Sequence, residues 1–131
     1  MAQYGSFVLE KGAAGTPSIG NIRFGEGATQ DGTPINLHEP NQSFKAGIKE
    51  VFAFYTISNL TKGVTIKREW YQDGKLYASS TPTPWNSDST ISSFWPSLNV
   101  TSGEPLPSGT YELRVLLDGK LAQSATFVIE P

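Results

Sequence analysis

The tetrapeptide Asp-Gly-Lys-Leu occurs twice, starting at Asp73 and at Asp118, and each copy stands between two stretches of extended character. Asp-Gly is the favoured centre of a two-residue type I′ hairpin, because both central residues of that turn need a positive φ. An EF-hand calcium loop needs acidic or amide residues at alternating positions and a closing glutamate, and neither copy has them. The repeat therefore predicts two tight β-hairpins, with Gly74 and Gly119 in the left-handed conformation that glycine tolerates best.

The stretches beside these turns alternate with the period of two that is typical of half-buried strands. In GTYELRVLL, Tyr111 and Leu113 face one way while Glu112 and Arg114 face the other. Pro96 cannot donate to a β-ladder and predicts an edge or a bend. No segment shows a helical stripe. The predicted strands are residues 6–10, 21–24, 51–58, 64–72, 89–99, 109–117 and 125–130.

Several of these stretches resemble parts of immunoglobulin-like domains. WYQDGKLY looks like strand C and its following turn, with Trp70 in the place of the buried core tryptophan. LPSGTYELRVLLDGKLAQSATFVIE resembles the closing hairpin, with Tyr111 at the tyrosine-corner position. Leu113 stands where antibody domains have their second inter-sheet cysteine, and the sequence contains no cysteine, so antibody-type membership is excluded. The resemblance covers about Ile19–Pro131 and predicts an all-β fold, an immunoglobulin-like antiparallel β-sandwich of about seven to nine strands.

The order of these motifs is similar to that of bacterial immunoglobulin-like accessory domains, which the resemblance places in larger secreted or surface proteins. We therefore expect an extracellular or cell-surface module excised from a longer chain, with a cytoplasmic protein as the alternative. Residues 1–18 are predicted to be an N-terminal strand and a flexible connector, and residues 19–131 the sandwich. The segment Ser6–Glu10 is expected either to pair within its own sandwich or to be exchanged with a neighbouring molecule.

Composition excludes several classes of function. The net charge of −2 over 131 residues and a pI near 5.3 lack the clustered basic residues that nucleic-acid binding requires. No apolar run approaches the roughly 20 residues needed to cross a bilayer, so no membrane insertion is expected. The absence of cysteine removes disulfides and thiolate chemistry.

The sequence offers little for catalysis. His38 is the single histidine, and no Gly-x-Ser-x-Gly motif accompanies it, so we interpret it as an exposed loop residue rather than a base or a metal ligand. No cofactor is predicted. Calcium is kept as a metal hypothesis, because carboxylates fall in several predicted loops and the loops of a sandwich cluster at its ends. These carboxylates are Glu26, Asp31, Glu39, Asp88 and Glu104.

Two tryptophans in polar, proline-containing segments are the best candidates for a binding site. Trp85 and Trp95 are interpreted either as caps on the end of the core or as a platform for sugar rings or a protein anchor. On the second interpretation Asn86, Ser87 and Asp88 would supply hydrogen bonds beside Trp85. The basic residues Lys62, Lys67 and Arg68 are interpreted as solvated strand residues.

The resulting hypothesis is a non-catalytic module of a larger bacterial protein, which acts in spacing or in binding a protein partner or neighbouring domain, including by pairing at sheet edges. The alternative is a carbohydrate-binding module that uses the loop aromatics. The two hypotheses differ in whether Trp85 and Trp95 share an exposed face.

Overall fold

A computed structural model describes residues 17–38 and 42–131, and these residues form twelve β-strands and no helix. Four of the strands span only two or three residues, so eight are of ordinary length, which agrees with the seven to nine predicted. The segment Ser6–Glu10 lies outside the described residues. The strands are β1 Ser18–Ile19, β2 Arg23–Ala28, β3 Pro34–Leu37, β4 Ser43–Phe44, β5 Glu50–Leu60, β6 Thr65–Gln72, β7 Lys75–Ser79, β8 Thr83–Pro84, β9 Ser89–Phe94, β10 Ser97–Asn99, β11 Gly109–Leu117 and β12 Lys120–Ile129.

Two six-stranded sheets pack face to face, which confirms the predicted all-β sandwich. In sheet I, the long strand β5 pairs with β1, β2, β9 and β10, and β2 pairs with β3. In sheet II the order is β4-β12-β11-β6-β7, with β8 also paired to β6. All pairs are antiparallel except β4 with β12, where Ser43 lies beside Val128 in parallel. Within the described residues, no helix is long and apolar enough to cross a membrane.

The core forms between the two sheets from the inward residues of the alternating strands. Tyr111 and Phe127 lie opposite each other on β11 and β12, and their rings stack 4.9 Å apart. Phe24 of sheet I meets Phe127 at 4.7 Å, and Trp70 approaches the same ring edge-on at 6.5 Å. Trp70 is 5% exposed. Aromatic side chains of this size account for much of the apolar area removed from water.

Tyr111 also closes a corner of the sandwich. Its hydroxyl donates a hydrogen bond of 2.6 Å to the carbonyl oxygen of Pro107, four residues upstream, while its ring is fully buried. This is the tyrosine-corner geometry of immunoglobulin-like sandwiches. Burial raises the pKa of Tyr111 to about 12.

Stability is therefore expected to fall between about pH 10 and 12. An unfolded tyrosine loses its proton near pH 10, whereas the folded residue holds its proton until about 12. The stabilisation that Tyr111 supplies is thus fully present below pH 10 and is lost as the pH rises through the folded value. Urea unfolding midpoints at pH 9 to 12 measure this loss. Tyr111→Phe should show a shallower decline, and an equal decline in both proteins would contradict the assignment.

The two Asp-Gly turns do more than reverse the chain. Gly74 and Gly119 have φ of 84° and 79°, and the aspartates before them have φ of 49° and 52°, as a type I′ turn requires. In addition, Asp73 donates its backbone N–H to the Thr110 carbonyl and accepts the Thr110 N–H at its carboxylate, at 2.8 and 3.0 Å. Thr110 is the second residue of the central strand β11, so this pair of bonds extends the β6–β11 ladder into the turn.

Asp118 makes the same two bonds to Thr65 at the opposite end of the strand pair, at 3.0 and 2.9 Å. Each of the two antiparallel strands β6 and β11 is followed by an Asp-Gly turn. The aspartate of each turn forms two hydrogen bonds with a threonine at the start of the other strand. The repeated tetrapeptide therefore reflects the local twofold symmetry of this central pair. Asp73 and Asp118 lock both ends of its register.

Asp118→Ala is expected to lower the free energy of unfolding by about 1–2 kcal/mol, because the Thr65 N–H loses a charged acceptor. Asp118→Asn is the matched control, since asparagine keeps an acceptor oxygen and tolerates a positive φ. Urea denaturation of the two variants measures the difference. If both variants lose equal stability, the hydrogen bond is not the stabilising feature.

Candidate functional site

Trp85 caps the hydrophobic core. Its backbone N–H donates to the Val64 carbonyl and its own carbonyl accepts from Gly63, both at 2.8 Å, so the residue is held beside the start of β6. The indole N–H donates to the Ser89 hydroxyl at 3.3 Å, and the ring packs 5.6 Å from that of Phe94. Trp85 therefore has the first of the two roles that the sequence allowed, at the end of the core.

The three polar residues after Trp85 form an exposed loop. Asn86, Ser87 and Asp88 are all exposed. The Asp88 carboxylate accepts the backbone N–H of Lys62 at 3.0 Å and so ties this loop to the turn before β6. The contact is a loop-to-loop hydrogen bond of the kind that stabilises the end of a sandwich.

Trp95 lies on the other side of sheet I. The pairing of β9 and β10 with β5 places Trp95 opposite Phe54. The Phe54 side chain is buried, but it does not belong to the core between the sheets. One face of the Trp95 ring is covered by Gly32, where an added Cβ would come within 2.4 Å of the ring. The ring remains 36% exposed. The structure therefore does not bring Trp85 and Trp95 together into one platform.

The outer surface of sheet I carries stacked aromatic rings, and we call it the aromatic face. The outer face of an antiparallel sheet is normally polar. Here the rings of Phe52 and Phe54 stack 6.3 Å apart. Glycines on the neighbouring strand β2 leave a groove, since a Cβ at Gly25 would lie 3.2 Å from the Phe54 ring. The residues of the aromatic face are Ile35, Phe52, Phe54, Ile91 and Trp95.

Three of these side chains are open to solvent. Ile91 is 61% exposed and Ile35 44% exposed, and they lie toward opposite edges of the sheet, with Trp95 36% exposed. A depression of about 180 Å³ beside Trp95 has Arg23, Thr56 and Ser93 in its wall. An exposed aromatic ring in a concave, partly polar setting is typical of anchor residues in protein interfaces.

The outer surface of sheet II combines paired charges with the exposed aliphatic side chains of Leu76, Leu121 and Val128. Arg114 lies over the Tyr71 ring at 4.3 Å and pairs with Glu112 at 3.0 Å. Lys67 pairs with Glu69 at 3.2 Å, and this contact lowers the pKa of the Glu69 carboxyl below its ordinary value. This solvated face therefore pairs its charges beside exposed aliphatic side chains, whereas Trp95 on sheet I lies beside the stacked rings of Phe52 and Phe54.

Arg68 does not point to this solvated face, which differs from the expectation that it is a solvated residue. It lies between Ile66 and Trp70 on the inward side of β6, and it lines an opening between the two sheets of about 340 Å³. We call this opening the edge cleft, formed by Arg68, Trp70, Ala78, Ser79, Ser80, Pro96, Ser97, Leu98 and Asn99. The sequence signal was present in the alternation of β6, where Arg68 shares the apolar face.

His38 is half-buried rather than exposed, which also differs from the expectation. Its Nδ1 donates to the Ser43 carbonyl at 2.6 Å, its Nε2 lies 2.5 Å from the Glu26 carboxylate, and its ring stacks on Phe44 at 4.1 Å. These contacts hold the end of β3 against β4. His38 therefore has the surroundings of a structural brace.

Three of the carboxylates considered for calcium, Glu26, Asp31 and Asp88, have separate hydrogen-bond partners. Asp31 accepts hydrogen bonds from Thr29 and Thr33, and these bonds lower its pKa. Residues 17–38 and 42–131 contain no group of three or more metal-binding side chains. Glu39 lies outside the described residues. Calcium binding stays an untested hypothesis.

Several edge strands are limited by proline or by short length, whereas β7 and β9 are uninterrupted edge strands of five and six residues. Pro34 begins the edge strand β3, Pro84 lies in β8, and Pro96 separates β9 from β10. The parallel edge strand β4 has only two residues. Proline and short edge strands restrict pairing with another chain, because they interrupt the row of free backbone N–H groups.

Trp85→Ala is expected to lower the free energy of unfolding by about 2 kcal/mol, since a partly buried aromatic cap is removed. Asn86→Ala in the same loop should change it by less than about 0.5 kcal/mol. Chemical denaturation measures both. We also expect no saturable change in tryptophan fluorescence with soluble plant or bacterial-wall oligosaccharides at millimolar concentration. An isotherm that Trp85→Ala abolishes without changing the melting temperature would contradict this prediction.

Comparison with known proteins shows likeness at the level of fold. An immunoglobulin-like protein of Pseudomonas aeruginosa, PA1606, superimposes with a TM-score of 0.61 at 14% identity, covering 91% of this chain and 100% of that protein. The alkylpurine DNA glycosylase AlkC of Pseudomonas fluorescens, bound to DNA with an abasic site analog, gives a TM-score of 0.54 at 10% identity. That match covers 90% of this chain but 31% of the glycosylase.

A CARDB domain from Pyrococcus furiosus gives a TM-score of 0.46 at 14% identity, covering 88% of this chain and 86% of that one. No protein-family profile matches the chain. No curated protein is similar to it in sequence. The matches to the Pseudomonas structures support an immunoglobulin-like β-sandwich.

Proposed function

We propose that this chain is a non-catalytic immunoglobulin-like module that binds another polypeptide through the aromatic face of sheet I. The observation that carries the proposal is the exposure of Trp95, Ile91 and Ile35 on one outer sheet surface. Apolar patches of this kind on a folded domain usually mark interaction sites. Sheet II exposes as many large hydrophobic side chains, but they lie among paired charges, whereas Trp95 on sheet I lies beside the stacked rings of Phe52 and Phe54.

The polypeptide is expected to dock against the sheet surface rather than to extend the sheet. The prolines at positions 34, 84 and 96 limit strand addition at the edges. The aromatic face offers a more favourable mode of binding a polypeptide. The Phe54 ring and the glycines of β2 form the floor of a groove there, and Trp95 forms one wall. A partner that presents an aliphatic or aromatic side chain would bury it there with little rearrangement of the sheet.

The partner belongs, in this proposal, to a larger bacterial surface or secreted protein, as a neighbouring domain or a separate chain. The glycosylase provides an example of a similar fold that makes up only part of a longer protein. Its DNA ligand is not carried over, because the net charge here is −2 and the proposed face is apolar. Carbohydrate binding is the less favoured function, since Trp85 packs on the core and Trp95 is a single exposed ring.

Site-specific photocrosslinking in the organism that encodes the chain tests the proposal. A benzophenone amino acid at Ile91 should yield one discrete crosslinked protein, and the product should disappear when Trp95→Ala is added. The same probe at Val128, an exposed aliphatic residue on sheet II, is the matched control. No discrete product from position 91, or the same product from both positions, would contradict the proposal.

A further inference from the structure

Arg68 occupies a position where an arginine is unfavourable for stability. Its neighbours on the same face of β6, Ile66 and Trp70, are each 5% exposed and belong to the core. Arg68 itself is half-buried between the sheets. A charged side chain in such a place normally has an acidic partner, because leaving water without one raises the free energy of the folded state.

No acidic partner is present among the described residues. Lys67 and Arg114 both form ion pairs, whereas Arg68 forms none. The polar group that Arg68 does influence is the hydroxyl of Tyr55, which faces it from sheet I. Burial raises the pKa of this hydroxyl, and the positive charge of Arg68 partly opposes that effect.

The Tyr55 hydroxyl is buried and lies within hydrogen-bonding reach of Arg68, although no bond of ideal geometry joins them. One neutral hydroxyl cannot neutralise a guanidinium, which has five N–H donors. No acidic group of the described residues therefore balances the charge of Arg68, which lines the edge cleft. Both side chains lie on the inward faces of their strands, so the positive charge is directed into the space between the sheets.

The edge cleft gives access to this charge from solvent. It opens between the end of β7 and β10, with Ser79 and Ser97 at its two rims, and the side chains of these serines lie on the outer faces of the sheets beside Glu69 and Phe52. Trp70 and Leu98 provide an apolar floor, and both are nearly buried. A third hydroxyl, that of Ser80, accepts the backbone N–H of Arg68 at 2.8 Å and so fixes the strand beneath the cation.

We propose that the edge cleft binds a carboxylate that is attached to an apolar group, with Arg68 as the anion-binding residue. The planar guanidinium matches a carboxylate through two parallel hydrogen bonds. The apolar group packs on Trp70 and Leu98 at the floor of the cleft. An acidic side chain or the end of a peptide chain carries this chemistry. The site lies between the sheets and is separate from the aromatic face.

Titration with N-acetyl-leucine, followed by NMR, tests the site directly. The probe carries one carboxylate and one aliphatic side chain, and we expect saturable, millimolar shifts of the Trp70 indole and Ser80 amide signals. N-acetyl-leucine amide has the same shape without the charge and should give no saturable shift. Sulfate should bind at least several times more weakly, because it has no apolar group to pack on Trp70 and Leu98. Equal binding of the amide or of sulfate would overturn the proposal.

Variants distinguish specific binding at Arg68 from a general effect of positive charge on the protein. Arg68→Gln should weaken binding of N-acetyl-leucine by about tenfold or more, and Arg68→Lys should weaken it less, since only the fork geometry is lost. Lys67→Gln removes the same charge one residue away on the outer face and should leave binding unchanged. If Lys67→Gln weakens binding as much as Arg68→Gln, the proposal is wrong.

Stability without ligand provides a second measurement. Arg68→Met replaces an unpaired, half-buried charge with an apolar side chain of similar length and should raise the urea midpoint. A large loss of stability in Arg68→Met would show that Arg68 serves the fold and would overturn its assignment as a binding residue. Neither result affects the photocrosslinking test of the aromatic face.

Discussion

Trp70→Ala is expected to lower the free energy of unfolding by about 3–5 kcal/mol, the largest effect of any single substitution considered for this protein. Trp70 is 5% exposed at the centre of β6, and its ring meets the edge of Phe127, around which the other core aromatics are arranged. Truncation removes the buried apolar area and leaves a cavity between two rigid sheets that cannot close around it. Urea denaturation at neutral pH measures the loss.

Trp95→Ala is the matched control for this measurement. It removes the same side chain from a position that is 36% exposed on the outer face of sheet I. We expect less than half of the loss caused by Trp70→Ala. Comparable losses at the two positions would mean that the aromatic face is part of the stabilising core, which would also weaken the proposal that it binds a partner.

Gly32→Ala is expected to lower the free energy of unfolding by about 2–4 kcal/mol and to displace Trp95. Two effects combine at this position. The φ of 86° is unfavourable for alanine, and the new Cβ would lie 2.4 Å from the Trp95 ring, so the ring has to leave its place on the turn. The unfolding midpoint measures the first effect, and a red shift of tryptophan emission reports the second.

Gly47→Ala separates the two effects. Gly47 has a similar φ of 97°, and an added Cβ there meets no atom within 4 Å. This variant should therefore lose only about 1–2 kcal/mol, from backbone strain alone, with unchanged emission. Equal losses in the two variants would show that the contact between Gly32 and Trp95 contributes nothing to the position of the ring.

Local sequence patterns predicted the long strands β5, β6 and β11 and the two Asp-Gly turns, but not the shorter strands β3 and β7. The alternation in β11 predicted which side of the strand is buried, and the Asp-Gly pairs predicted turns in which Gly74 and Gly119 have positive φ. Tyr111 was also identifiable, from its place in the closing hairpin. These features depend on residues that are close in the chain, so the period of side-chain direction and the conformational freedom of glycine are enough to predict them.

The partners across the sheets and between them were decided only by the tertiary structure. That Asp73 holds Thr110, and Asp118 holds Thr65, follows from the register of two strands about 40 residues apart, which no local pattern encodes. The sequence likewise grouped Trp85 with Trp95 because they are close along the chain, whereas the strand between them places one ring on the core and the other on the outer face.

Arg68 shows most clearly the difference between what the sequence predicts and what the tertiary structure decides. The alternation of β6 already placed it beside Ile66 and Trp70, yet residue type suggested a solvated side chain. Whether an inward-facing arginine meets a carboxylate, a hydroxyl or an open cleft depends on what the opposite sheet presents, and that is set by how two twisted sheets pack. Side-chain direction is a property of one strand and can be read from the sequence. The surroundings of that side chain belong to the assembled sandwich, because they are formed by residues far away in the chain.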